Sequence, residues 1–209
     1  MPMLGAEPQA VHFPDGAEVP ESKLHLWVRT LLFQFLHRAF ADIAAVGCDQ
    51  FVYWDPTDPK ACLAPDAFVR FGVRDDLFRS WKVWERGAPH VAVEIGSESD
   101  QAGWDEKLAK YRRLGVSELV WFDPEAPECP LRVWDFVGDD LFERRLFEPW
   151  AQSRHLGGYW LPVEQTGIGL TLRLSHDEHG KHLFPTPAEE AESRIAALEA
   201  ELRRRDSQE

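Results

Sequence analysis

The chain has 209 residues, a length that supports one domain with a full hydrophobic core plus appendages but not two ordinary domains. Hydrophobic residues make up 44% of the chain and charged residues 28%, and the nine tryptophans and thirteen phenylalanines exclude a disordered or fibrous protein. The formal net charge of −13 repels polyphosphates at long range, which argues against sequence-independent coating of nucleic acid but not against a local basic groove.

The cysteines and the apolar segments indicate the cellular compartment in which we expect the protein. Cys48, Cys62 and Cys129 are odd in number, widely spaced and outside any C-x-x-C pair, so they predict neither a disulfide framework nor a cysteine zinc site. The most apolar window, residues 24–36, is interrupted by polar side chains and is too short to span a membrane. We therefore expect a soluble protein in a reducing cytoplasm, with no membrane partner.

The first half of the chain predicts a lead-in, a helix and two strands. Residues 1–21 contain four prolines and little periodicity, which predicts an extended segment. From Ser22, the predicted N-cap, apolar residues recur at three- and four-residue steps, so we expect a helix that ends before Gly47. The segments FVYW and AFVRF then predict two strands joined by the turn-forming DPTDPK.

The next segments predict a strand, a helix and a second strand, which together form a crossover unit. The run HVAVEI at His90–Ile95 is apolar except for Glu94, as in a buried central strand. Residues Trp104–Leu114 predict a helix closed by the glycine that follows, with Lys107 and Tyr111 four positions apart on one face. ELVWFDP predicts the second buried strand.

The remainder of the domain predicts an α/β core with more strand than helix. Short strands are expected at LRVWDF, LFERRLF, GYWLPV and GLTLRL. Four tryptophans lie in apolar periodic segments, so we expect them to pack in the core rather than to stack on nucleic-acid bases: Trp27, Trp81, Trp121 and Trp134.

The last segment has a different composition. After Pro187, small and apolar residues step by three, four, three and four, which gives an a/d seam of about two and a half heptads at Ala188, Ala191, Ile195, Leu198 and Leu202. Two interpretations stay open, a terminal helix lying back on its own domain and a coiled coil that forms a homodimer, because so short a seam is marginal alone. We accordingly divide the chain into a lead-in (1–21), a domain (22–184) and a C-terminal helix (185–209).

Three residues are candidates for a catalytic site. A carboxylate in a buried strand needs a partner or a metal, because its removal from water is costly, and Glu94 ends a strand at the edge where open α/β sheets place their sites. Asp66 borders another predicted strand, and Lys107 lies on the helix that follows Glu94. Taken singly, Asp66 is typical of a turn, and Glu94 with Lys107 is typical of a buried ion pair.

Two acids and a lysine at one site can together support a metal-dependent reaction at phosphate. Two carboxylates can hold Mg²⁺ through oxygen ligands and leave coordination positions for water and phosphate. A lysine beside them can orient the water or offset the charge that builds up on the phosphate. The set therefore favours hydrolysis of a phosphate ester.

Five motifs surround these candidates: APD (64–66), RSWKVWERGAP (79–89), VEIGSESD (93–100), EKLAKY (106–111) and GVSELVWFDP (115–124). Together they resemble the Uma-two family, a bacterial group of endonucleases within the restriction-endonuclease-like PD-(D/E)-x-K superfamily. The likeness runs from about Ser22 over most of the chain, and HGKHLFPTPAEEAE is similar to the family's charged tail.

The resemblance implies a mixed sheet of four or five strands flanked by helices, with extra C-terminal β-hairpins and a short terminal helix. It implies that Asp66 is the first acid of the superfamily pattern and Glu94 the second. The superfamily lysine belongs two residues after Glu94, where this chain has Gly96. Lys107 fits the position to which that lysine has moved in the Uma-two group, and the carbonyl of Ile95 is then the third ligand of an Mg²⁺ or Mn²⁺ ion.

We accordingly expect a metal-dependent endonuclease that acts on nucleic acid, DNA in the first instance. The alternatives are a catalytically inactive binding or scaffold protein that keeps the fold and self-associates, and a phosphoesterase with a smaller substrate. Residues 60–113 contain ten basic and nine acidic side chains, so the acidity of the chain lies outside the expected site.

Overall fold

The computed structural model describes residues 22–96, 103–126 and 128–207. The predicted lead-in and part of the VEIGSESD motif lie outside these ranges. The described residues form four helices: α1 (Lys23–Phe40), α2 (Val83–Arg86), α3 (Trp104–Leu114) and α4 (Pro187–Asp206). They also form twelve strands: β1 (Ala44–Gly47), β2 (Val52–Tyr53), β3 (Cys62–Leu63), β4 (Ala67–Phe71), β5 (Trp81–Lys82), β6 (Val91–Ile95), β7 (Glu118–Phe122), β8 (Leu131–Val137), β9 (Asp140–Glu143), β10 (Ala151–Gln152), β11 (Tyr159–Gln165) and β12 (Gly169–Ser175).

The first helix begins where the sequence predicts. Ser22 caps α1, since its hydroxyl accepts a hydrogen bond from the backbone N–H of His25 at 3.1 Å. One face of α1 is buried against the sheet. Trp27 lies off that face with 51% of its surface exposed, so the expectation that it packs in the core is wrong. The helix ends at Phe40. The small residues that follow form β1, a strand that the sequence pattern did not indicate, and β1 pairs with β4.

A six-stranded mixed sheet forms the centre of the domain, in the order β1-β4-β6-β7-β8-β9. It therefore has more strands than the four or five expected. Only the β6–β7 pair is parallel within this sheet, and α3 makes the crossover between these two strands, as predicted. The α/β class and the β8–β9 and β11–β12 hairpins are likewise confirmed.

The two faces of the sheet carry separate apolar clusters, because side chains alternate along each strand. Val91, Val93 and Ile95 belong to the cluster that contains the buried face of α1. Ala92 belongs to the cluster that contains α3 residues. Trp81, Trp121 and Trp134 lie in this second cluster with at most 5% exposure, so the core role predicted for these three tryptophans is confirmed.

The C-terminal helix is attached at its beginning. Thr186 and Glu189 form a reciprocal capping box, and the Glu189 carboxylate also accepts two hydrogen bonds of 2.8 Å from Arg173 on β12. Beyond this attachment α4 contributes no buried residue, and Ile195 and Leu202 are both more than half exposed. The described residues therefore contradict the interpretation in which the seam lies back on its own domain.

No helix in the described ranges combines the length and apolarity that crossing a bilayer requires.

Candidate active site

The site is centred on Glu94, near the carboxyl end of β6. Alternation along the strand places its side chain on the face covered by α3, and only 2% of the residue is exposed. Lys107, on the first turns of α3, donates from Nζ to Oε2 of Glu94 at 2.6 Å. About a third of the Lys107 side chain is exposed, so the ammonium group links the buried carboxylate to the surface.

Tyr111 holds the other oxygen of the same carboxylate. It lies one helical turn after Lys107, is fully buried, and donates its hydroxyl hydrogen to Oε1 of Glu94. The two side chains thus fix both oxygens of Glu94 from one face of α3. Sequence reasoning placed Tyr111 on the face of Lys107 but gave it no role in the site; the EKLAKY spacing was the available signal.

Asp66 directly precedes β4, the strand beside β6. The antiparallel register pairs Ala67 with Val93, and one further step along both strands brings Asp66 opposite Glu94. The residue is 6% exposed, and its Oδ2 accepts a hydrogen bond of 2.8 Å from the backbone N–H of Ile95. The structure therefore brings together the three side chains that the sequence singled out, Asp66, Glu94 and Lys107.

A histidine on the first helix completes the contacts of Asp66. Nε2 of His25 lies 2.6 Å from Oδ1 of Asp66, and about a quarter of the histidine side chain is exposed. His25 is 41 positions from Asp66, and sequence reasoning did not include it. Its position follows from the Ser22 cap, which fixes where α1 starts.

The electrostatics of the site raise the pKa of Glu94. Burial raises the pKa of Glu94 to about 7, while the ammonium of Lys107 lowers it and the carboxylate of Asp66 raises it further. Burial and the adjacent Glu94 carboxylate also raise the pKa of the Tyr111 phenol well above its usual value. A bound cation would oppose the effects of burial and of the Asp66 carboxylate and so lower the pKa of Glu94.

Gly96, two residues after Glu94, has no space for a side chain. A Cβ atom there would lie 1.9 Å from Cζ2 of Trp121, so the indole ring of the neighbouring strand fills the space that a side chain would need. The ammonium reaches the acids from α3 instead, through Lys107.

The donor set fits a hard divalent cation. Asp66 and Glu94 supply carboxylate oxygens, each of which has a second lone pair beyond its observed hydrogen bond, and the Ile95 carbonyl follows Glu94 directly. Within the part of the chain that the structure describes, no three His, Cys, Asp or Glu side chains converge on a metal-sized space. Water or substrate would therefore fill the remaining positions, as Mg²⁺ commonly allows.

The fold and this arrangement define a class: an α/β domain of the restriction-endonuclease-like type, with a mixed sheet between helices and two acids at one end of the sheet. The chain matches the family model Uma2, described as “Putative restriction endonuclease”, over residues 7–164. It therefore belongs to the Uma-two family.

A solved structure is also similar, that of “a putative nuclease belonging to DUF820 from Anabaena variabilis ATCC 29413”. The two chains share 14% sequence identity, the match covers 70% of this chain and 78% of the other, and the TM-score is 0.49. The comparison with curated proteins gives no match.

Proposed function

We propose that this protein is a metal-dependent endonuclease that hydrolyses phosphodiester bonds in DNA. The observation that carries the proposal is the convergence of two buried carboxylates, Asp66 and Glu94, with the Lys107 ammonium 2.6 Å from Glu94. Family membership supports the nuclease class.

Each residue has a distinct part in the proposed reaction. Asp66, Glu94 and the carbonyl of Ile95 would hold the Mg²⁺ or Mn²⁺ ion. When bound, such an ion polarises the phosphoryl group and acidifies water. Lys107 orients the attacking water or stabilises the charge that develops on the phosphate oxygens.

Two further side chains keep the acids in place. Tyr111 holds Oε1 of Glu94, and His25 holds Oδ1 of Asp66, so the carboxylates have fixed orientations before a cation arrives. Preorganised ligands need no rearrangement during the reaction, which lowers its barrier.

The substrate is proposed from charge and family. The segment from Lys60 to Arg113 has one more basic than acidic residue in a chain whose net charge is −13, so the region around the site repels a polyanion less than the chain as a whole. No disulfide joins Cys48, Cys62 and Cys129, which all lie in the described residues, and this supports a reducing cytoplasm as the place of action.

A cleavage assay tests the proposal. Supercoiled and linear duplex DNA, single-stranded DNA and RNA are incubated with the protein in Mg²⁺, Mn²⁺ or EDTA. We expect cation-dependent cutting of DNA by the wild type, and loss of cutting by at least a hundredfold in Glu94→Gln and in Lys107→Ala.

Matched controls come from α3, the helix that carries Lys107. Glu106 and Lys110 form an exposed ion pair of 2.8 Å on α3, so Glu106→Gln and Lys110→Ala make the same chemical changes outside the proposed site. We expect both controls to cut like the wild type. Absence of cutting by the wild type, together with absence of cation binding, would instead favour the binding or scaffold protein.

A further inference from the structure

The apolar seam of α4 is exposed along the whole helix. Ile195, Leu198 and Leu202 have 54–57% of their surfaces exposed, although they recur at the spacing of a buried helical face. A seam of this kind on an otherwise charged helix is typical of a surface that another helix covers.

The beginning of α4 is held firmly by the domain. Arg173 on β12 binds Glu189 with two hydrogen bonds, and Arg38 on α1 binds Glu190 through Nη2 at 2.7 Å and Nε at 2.5 Å. The attachment leaves the later turns in solvent, and a 20-residue helix is about 30 Å long. The first turn of α4 is therefore attached to the domain, and the apolar seam of the later turns faces solvent.

We propose that α4 pairs with α4 of a second copy of this chain as a parallel, two-stranded coiled coil. With Ala188 at position a, Ile195 and Leu202 are also at a, and Leu198 is at d. A β-branched residue at a with leucine at d favours parallel dimers. The alanines at positions 188 and 191 allow close approach near the base.

The charges beside the central layers of the seam fit this partner, although Glu201 at g and Asp206 at e carry like charges at the far end. In that register Arg194 is at g and Glu199 is at e, so in a parallel pair each Arg194 faces Glu199 of the other copy, which makes two ion pairs around the central layers. Residues 191–206 contain four acids and four arginines, so the projecting part is neutral although the whole chain is strongly acidic. Two such helices can approach without the repulsion that the rest of the surface would impose.

Sedimentation equilibrium on the full chain tests the proposal. Because the seam is short, we expect a monomer–dimer equilibrium in which the dimer fraction rises with concentration. Leu198→Glu should weaken the dimer at least tenfold, whereas Ala197→Glu, which adds the same charge at the neighbouring exposed position, should leave the dissociation constant unchanged. Circular dichroism verifies that both variants are folded.

Two pairs of variants examine the arrangement of the helices. Arg194→Glu should weaken the dimer, and the double variant with Glu199→Arg should restore it, since the g–e pair is then reversed. In a Cys129→Ser background, Leu202→Cys should form an intermolecular disulfide under mild oxidation, because a positions meet in a parallel pair, whereas Ala197→Cys should not.

The proposal is independent of nuclease activity and has clear contrary outcomes. A dimer that persists in Leu198→Glu would place the interface elsewhere on the molecule. A monomer at every concentration would mean that the seam is covered by something other than a second copy. Failure of Leu202→Cys to cross-link in a dimer that Leu198→Glu disrupts would overturn the parallel arrangement.

Discussion

Two buried glutamates on neighbouring strands of the central sheet are held in different ways. Glu118 opens β7 and has no exposed surface. Its Oε1 accepts hydrogen bonds from Ser153 Oγ at 2.7 Å and Trp160 Nε1 at 3.1 Å, and its Oε2 accepts from Arg144 Nη2 at 2.9 Å and the Arg154 backbone N–H at 2.8 Å. Four donors thus satisfy this carboxylate.

Glu94 lies near the other end of the parallel pair, on β6, and is held more sparingly. Among the described residues only Lys107 and Tyr111 donate to it, and the carboxyl group of Asp66 faces it across the strands. Asp135, by contrast, is opposite Glu118 but shares the guanidinium of Arg144 with it. Arg144 bridges Glu118 and Asp135, and Arg154 lies 3.2 Å from Asp135 as well. Lys107 contacts Glu94 and His25 contacts Asp66, and it is this second pair of acids that we propose as the cation site.

The largest expected effect comes from the saturated network, by which we mean the hydrogen bonds and ion pairs around Glu118 and Asp135. Arg144→Ala leaves two buried carboxylates without their shared cation, so we expect the free energy of unfolding to fall by about 3–5 kcal/mol. Urea denaturation measures this fall, with Arg145→Ala as the matched control. A loss as small as that of the control would mean that the network is not structural.

Arg144 stabilises the fold, whereas ionisation of the buried Glu94 carboxyl group is expected to destabilise it. Its pKa is about 7 in the folded protein and near 4.5 when unfolded, so between these values the unfolded chain loses a proton that the folded protein keeps. In EDTA, stability conferred by this group is therefore present below pH 4.5 and is lost as the pH rises to 7.

The Glu94→Gln variant lacks this titration. Relative to the wild type it should gain about 3 kcal/mol in free energy of unfolding between pH 4 and pH 8. Denaturation curves across that range give the difference, with Glu106→Gln as the exposed control. Parallel pH profiles for wild type and Glu94→Gln would show that burial does not perturb this carboxyl group.

A substitution at Gly96 tests whether packing against Trp121 excludes a side chain two residues after Glu94. Gly96→Ala would place a methyl group against the Trp121 ring, and we expect a loss of about 1–3 kcal/mol in the free energy of unfolding. Gly103→Ala serves as the control, because nothing lies within 4 Å of the added atom. Equal losses in the two variants would mean that Trp121 yields easily and that packing does not exclude the lysine.

Tyr111 is expected to have the smallest effect of the four. Tyr111→Phe removes one donor to Glu94, which should cost about 1.5 kcal/mol in the free energy of unfolding and raise the pKa of Glu94 further. Thermal denaturation at pH 8 measures the loss, and Tyr159→Phe is the control. If stability at pH 8 is unchanged, the hydroxyl does not support the ionised carboxylate.

Much of this arrangement follows from local pattern, and the remainder from contacts distant in sequence. Glu94 and Lys107 meet because a strand–helix crossover returns the helix over its own strand, which the sequence indicates. His25 reaches Asp66 only because α1 crosses the sheet, and no periodicity reports that.

The saturated network and the exposed Trp27 also show that a sequence pattern does not reveal contacts between distant segments. Glu118 and Asp135 resemble solvated residues in sequence, because their donors come from separate segments such as Arg144 and Ser153. Trp27 fits the helical period, yet the buried stripe of α1 is narrower than the apolar pattern, so the ring remains exposed.

Calorimetric titration of Mn²⁺ into the metal-free protein tests the central claim most directly. We predict that the wild type and Glu106→Gln bind the ion with the same affinity, and that Glu94→Gln and Asp66→Asn, both folded by circular dichroism, lose binding by at least tenfold. Equal binding by all four proteins would show that Asp66 and Glu94 do not form the metal site.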